Sequence, residues 1–223
     1  MCGRYTLHAD PSEIAATLGV APPVEFAPRY NIAPTQPVPI VFAADGERLW
    51  HLVSWGLVPS WARDPKMGAR LINARAETVA EKPAFRAAFR RRRCLVPASG
   101  YYEWQTVGGG KQPWYIYPAA GGCLAFAGIW EHWQRDGAVI ESCAILTCAA
   151  NASLAVVHDR MPVLIEPADF ARWLAAESAG PPPLDLLRPA ADGTLRLHAV
   201  GKRVNSPRHE GSDCIRPLAD AAQ

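Results

Sequence analysis

The chain has 223 residues, 49% of them hydrophobic and 20% charged, with a net charge of only +2. That length supports one sizeable core. No apolar run approaches the ~20 residues that span a membrane, and no basic segment followed by an apolar one opens the chain, so a cytoplasmic protein is expected.

Met1-Cys2-Gly3-Arg4-Tyr5 comes first. Trimming of Met1, which a small second residue permits, leaves Cys2 with a thiol and a free α-amine. Such an amine has a pKa of ~7.7–8.0 against ~10.4 for lysine, so its neutral fraction at pH 7 is larger by roughly two to three powers of ten. An aldehyde can be taken as a Schiff base by the amine and closed by the thiol into a five-membered thiazolidine. The second step gains from a nucleophile already in place. Equally, position 2 can be an ordinary buried cysteine, and Met-Cys-Gly alone favours neither reading.

Residues 10–19 read as a short helix. Asp10 or Ser12 caps it, Pro11 suits its first turn, Ile14 and Leu18 face the core, and Gly19 ends it. Residues 21–37 hold five prolines and read as an ordered loop. Strands are predicted at 38–43 and 48–55, with Trp50 and Leu52 on one face and Asp45-Gly46 as a hairpin turn between them. A loop with exposed aromatics follows over Trp55–Trp61, then the block 71–78 and a helix at about 83–92. The arginine run Arg90–Arg93 ends that helix, and its usual role is a solvated face.

A β-rich stretch covers 94–104, 113–118, 123–130 and 138–147, with Gly108-Gly109-Gly110 as a flexible turn. One or two helical turns are expected over 151–157, an amphipathic helix over 167–177 with Phe170, Trp173 and Leu174 on one side, a proline-rich loop at 180–193 and a strand at 194–200. A polar tail follows from about 205. Nothing repeats, and no composition shift marks a second domain. The pattern predicts one domain over 1–223, of the α+β class, with an antiparallel β-barrel-like core and short peripheral helices. The six cysteines (Cys2, Cys94, Cys123, Cys143, Cys148 and Cys214) lack paired C-x-x-C spacing. Free buried thiols are expected, with no structural metal and no cofactor.

Four polar groups stand beside apolar, strand-like sequence: Cys2, Asn73, Glu103 and His158. Glu103, flanked by aromatics in Tyr101-Tyr102-Glu103-Trp104, is a candidate general acid with a raised pKa; an exposed strand carboxylate is the commoner case. His158 can shuttle a proton or simply end a helix. Asn73 can orient an amine or a hydroxyl, or sit in a turn. Arg4, Arg29, Arg75 and Arg160 suit phosphate, while Trp61, Trp104 and Tyr30 can stack on unpaired bases. Trp50, Trp130 and Trp173 are expected to be structural.

Together these blocks resemble the SOS-response-associated peptidase family, also called abasic-site processing proteins. The resemblance rests on Met1–Tyr5, Arg29–Pro34, Trp55–Trp61, Ile72–Thr78, Arg93–Trp104 and His158–Pro162, in the family's order from residue 1 to 162. It implies covalent capture of abasic sites in single-stranded DNA through Cys2, with Asn73 positioning and Glu103 and His158 as acid and base. It further implies DNA contacts from Arg4, Arg75, Arg160, Trp61, Trp104 and Pro34, a monomer associated with the nucleoid when bound, and an autopeptidase activity that frees the terminus. A different class also begins Met-Cys-Gly, the glutamine amidohydrolases with an amino-terminal nucleophile. It leaves the other five blocks unexplained. A non-covalent single-stranded DNA or modified-base binder is the third reading.

Overall fold

Asp45-Gly46 and Asp136-Gly137 build two tight hairpins because both residues of each pair hold positive φ (51° and 84°, 50° and 80°), the backbone that such two-residue turns require. The structure is a computed structural model and describes residues 2–22, 27–175 and 180–218. In chain order it holds β1 (Tyr5–Leu7), α1 (Pro11–Leu18), β2 (Arg29–Ile32), β3 (Pro37–Ala44), β4 (Glu47–Trp55), β5 (Asn73–Arg75) and α2 (Arg86–Arg91). There follow β6 (Arg93–Ala98), β7 (Gly100–Val107), β8 (Gly110–Pro118), β9 (Leu124–Arg135), β10 (Ala138–Ala149), α3 (Ala152–Ala155), β11 (Arg160–Pro162), α4 (Phe170–Leu174) and β12 (Leu195–Ala199).

Five strands close on themselves in the order β10-β4-β3-β6-β9 and back to β10, leaving that ring without a free edge. The β10–β4 contact is parallel, from Ser142↔Ser54 to Cys143↔Trp55. Strands β5 and β11 attach to the far half of β10. A second sheet runs β12-β8-β7-β1-β2. The core lies where the two meet: Tyr5 packs edge-on against Trp55 (5.3 Å) and Phe126 (6.1 Å), and Tyr101 against Phe126 (5.9 Å).

The barrel-like α+β architecture with short peripheral helices is as expected, and several elements differ in detail. The stretch 94–104 is two strands in different sheets, because the chain switches sheets at Ser99-Gly100. A Cβ on Gly100 would stand 2.6 Å from the Ile116 carbonyl, so only glycine fits that corner. The proline-rich segment 21–37 contains β2. On β4 the inward residues are Val53 and Trp55, while Leu52 is 65% exposed, so the Trp50/Leu52 side is the outer one. The helix expected at 167–177 is a 3-10 turn, Pro167–Asp169, followed by α4. Residues 176–179 lie outside the described residues.

The arginine run is partly internal. Arg93 is buried and donates to the carbonyls of Phe89, Arg90 and Trp173, while Arg92 pairs with Glu131 at 2.7 Å. Arg90 and Arg91 are exposed. Trp173 is buried, with its indole N–H on the Cys94 carbonyl (2.8 Å).

The loop that leaves β4 turns at Gly56, whose φ is 136° and whose missing Cβ leaves room for the Gly68 carbonyl, 2.7 Å from where that Cβ would lie. Gly56→Ala therefore combines backbone strain with a backbone collision. It should lower stability by about 2–4 kcal/mol in denaturant unfolding.

Candidate active site

The amino terminus enters the site along β1, which runs antiparallel to β7 with Tyr5 opposite Tyr101 and Thr6 opposite Gly100. The Tyr102 N–H donates to the Arg4 carbonyl at 2.9 Å. The same register, continued toward the terminus, sets Gly3 opposite Glu103 and Cys2 opposite Trp104, close enough for the Glu103 charge to act on the Cys2 thiol. From the other side Asn73, the first residue of β5, donates from Nδ2 to the Cys2 carbonyl at 2.8 Å. Its Oδ1 is buried and has no hydrogen-bond partner among the described residues. Asn73 is thus a strand residue, held by the parallel pairing of β5 on β10 (Asn73↔Ile145).

Cys2 is fully buried. Burial pushes its thiol well above the ordinary range, and the Glu103 charge adds to that, so the sulfur carries its proton at neutral pH. Glu103 is 3% exposed, not the exposed strand carboxylate that a lone glutamate most often is. Burial raises its pKa, and the nearby His158 works in the opposite direction.

His158 follows α3, whose Asn151 side chain caps it and whose Leu154 carbonyl accepts the His158 N–H (3.1 Å). Its Nδ1 accepts from the Arg160 N–H at 3.0 Å, which assigns the neutral ring's proton to Nε2. Asp159 Oδ1 also lies 2.9 Å from Nδ1, a contact that becomes a hydrogen bond only when the ring proton is on that nitrogen. A cavity of about 450 Å³ is lined by Glu103, Trp104, Lys111, His158 and Asn205. Cys2 and Asn73 are not among the lining residues. They reach the cavity through Glu103, whose charge acts on both Cys2 and His158. Lys111 and Asn205 were not singled out from sequence. Lys111 follows the glycine turn directly, and Asn205 arrives from a segment that reads as a polar tail.

The expected DNA-contact residues fall into two groups. Arg75 is exposed and has no hydrogen-bond or ion-pair partner among the described residues. Trp61 is 56% exposed, with its indole N–H on the Pro83 carbonyl (3.2 Å). Pro34 is half-buried in the turn before β3. Trp104 borders the cavity, with its N–H on Asn205 Oδ1 (2.8 Å). Arg4 and Arg160 are already engaged. Arg4 donates to Asn31 Oδ1 (2.8 Å) and the Val204 carbonyl (2.7 Å), with its guanidinium 5.9 Å from the Trp104 ring centre. Arg160 forks onto both oxygens of Glu77 (2.5 and 2.9 Å) and bonds the Thr147 carbonyl (2.6 Å).

The sequence profile of the SOS response associated peptidase (SRAP) family matches residues 1–207. "Abasic site processing protein YoqW" of Bacillus subtilis (strain 168) is 36% identical over 222 residues, covering 96% of this chain and 99% of that one. "Abasic site processing protein YedK" of Escherichia coli (strain K12) is 30% identical, covering 98% and 100%. "Abasic site processing protein HMCES" of Gallus gallus is 31% identical, covering 86% and 67%. An X-ray structure of a protein from Bacteroides thetaiotaomicron superimposes with a TM-score of 0.84 at 25% identity, covering 97% of this chain and all of that one.

Because the folded pKa of Glu103 is raised, its neutral form favours the fold, and stability falls as pH rises from the unfolded value (~4.3) through the folded one. Glu103→Gln should therefore melt higher than wild type near pH 7, by about 2–4 °C per kcal/mol relieved. The gap should close toward about pH 4, as followed by thermal denaturation at both pH values.

Proposed function

The chain belongs to the SOS response associated peptidase (SRAP) family, and on that premise we propose that it processes abasic sites in single-stranded DNA, capturing the lesion covalently through Cys2. The observation that carries this reading is the bond from Asn73 to the Cys2 carbonyl, which fixes the leading residue beside the buried Glu103. A nucleophile that must meet one sugar carbon gains from being held in one pose.

An abasic deoxyribose is mostly a closed hemiacetal. Glu103, its pKa raised by burial, acts as the general acid on the ring oxygen and helps release the open aldehyde. The neutral α-amine of Cys2 adds to C1′, giving a carbinolamine that loses water to form an imine. The thiol then adds to that imine carbon. Its proton passes to the nitrogen, and a thiazolidine results with no net redox change. The protonated state of the sulfur suits this order, in which the amine acts first. The unpartnered Oδ1 of Asn73 is an acceptor for the freed α-amine. His158, with Nε2 carrying the ring proton, serves the departing water or the sugar oxygen. Running the same proton transfers backwards reverses the link. The chemistry requires loss of Met1, and an autopeptidase step that removes it accounts for the peptidase of the family name.

In this reading the DNA runs over the cavity mouth. Arg75 contacts a phosphate, Trp61 and Trp104 stack on bases, and Pro34 borders the path. Arg4 and Arg160 act from fixed positions, Arg4 beside Trp104 and Arg160 beside His158. One core draws residues from Cys2 to Leu195, which supports a single domain; in this reading it acts as a monomer in the cytoplasm or on the nucleoid.

Wild-type protein incubated with an abasic single-stranded oligonucleotide should give a band that survives heat and detergent on a denaturing gel, and Cys2→Ala should not. Equal bands would remove Cys2 as the nucleophile. Arg75→Ala should weaken binding and reduce the slope of log affinity against log salt by about 0.7, the share of one phosphate on a single strand. An unchanged slope would take Arg75 off the DNA path.

A further inference from the structure

The segment after β12 is clamped into the fold by the strand pair β1–β2. Buried Asn31 donates from Nδ2 to the carbonyls of Ser206 (2.9 Å) and His209 (2.7 Å), and Arg4 holds the Val204 carbonyl. The Glu210 carboxylate accepts from the backbone N–H groups of Tyr30 and Asn31. This clamp folds His209 back over the turn Ser212–Ile215. There His209 Nε2 lies 2.9 and 3.0 Å from the two Asp213 oxygens. The Cys214 sulfur is buried beside them. One ligand atom from each of the three residues, imidazole nitrogen, carboxylate oxygen and sulfur, falls within 4.8 Å of the others.

Gly211 makes this convergence possible. A Cβ there would stand 2.3 Å from Asp213 Oδ1 and 3.5 Å from His209 Nε2, so any other residue would push the carboxylate out of the cluster.

We propose that His209, Asp213 and Cys214 bind one divalent transition-metal ion of the zinc class, with a fourth position open to water. The donor set decides the class. A thiolate and an imidazole select zinc or cobalt over magnesium or calcium, which take all-oxygen sites. Three protein ligands of this kind leave one tetrahedral position for solvent. Binding converts the Cys214 thiol to thiolate and releases one proton to solvent. The ion replaces the direct His209–Asp213 contact and the ion pair of Asp213 with Arg203 (3.1 Å), an arginine that is largely exposed. The expectation of no metal came from the missing C-x-x-C pairs. Here the donors are of three kinds, at spacings of four and one, and only the turn geometry unites them. With the ion in place, the segment that carries Asn205 to the cavity is cross-linked at its base. The site is independent of the DNA chemistry.

Cobalt(II), whose thiolate bond gives a near-ultraviolet charge-transfer band, is titrated into the reduced full-length protein. The expected result is a band that saturates near one equivalent in wild type and persists in Cys2→Ala. It should vanish in Cys214→Ser and need about 10–100-fold more cobalt in His209→Asn, a lost ligand costing at least what a lost supporting partner does. Zinc should also raise the melting temperature of wild type more than that of His209→Asn, a readout that survives if Cys214→Ser misfolds. No band in wild type, a band lost in Cys2→Ala, or an equal zinc shift in His209→Asn would overturn the proposal.

Discussion

The contact on which the site depends is the hydrogen bond from the Asn73 amide to the Cys2 carbonyl. Chain termini fray unless something ties them down. One such bond contributes only about 0.5–1.5 kcal/mol net, so it acts by placement more than by stability. It can do so because β1 is already paired with β7 on one side, and β5 with β10 on the other. The leading residue is therefore held between the second sheet and the barrel, two units that meet in one core.

The electrostatics follow from this placement. Glu103 on β7 is almost fully buried at the wall of the cavity, and that burial raises its pKa. The sulfur beside it is kept protonated for the same reason. Around this buried pair the cations are divided. Arg4 and Arg160 are bound to internal acceptors and hold loops in position, while Arg75 is exposed, with no hydrogen-bond or ion-pair partner among the described residues. A buried carboxyl group of raised pKa inside and an exposed guanidinium outside suit a neutral sugar aldehyde flanked by phosphates.

Much of the fold was legible because the relevant signals are local. The turns at Asp45-Gly46 and Gly108-Gly109-Gly110, the cap at Asp10 and the β-rich run from 94 to 147 need only neighbours in sequence. The three-residue strands β1, β5 and β11 escaped notice, since three residues carry too little alternation to reveal a period. They are also the strands that place Cys2, Asn73 and Arg160. Cys2, Asn73, Glu103 and His158 each gave a weak signal alone, and only the order of the surrounding blocks linked them. Lys111 and Asn205 had no such block, and their place at the cavity depends on the β7–β8 hairpin and on a clamp from Asn31. The helix expected across 167–177 failed at its start because Pro167–Asp169 tightens into a 3-10 turn.

The central claim is that the amine and thiol of one residue both bond to the same sugar carbon. Intact-mass and fragmentation analysis of the adduct between processed protein and an abasic oligonucleotide tests it directly, without borohydride. The account predicts one adduct whose mass is the sum of the two partners less one water, mapped to Cys2 and retained when no reductant is added. An adduct mapped to Lys111 or another internal lysine, or one seen only after borohydride trapping, would contradict it.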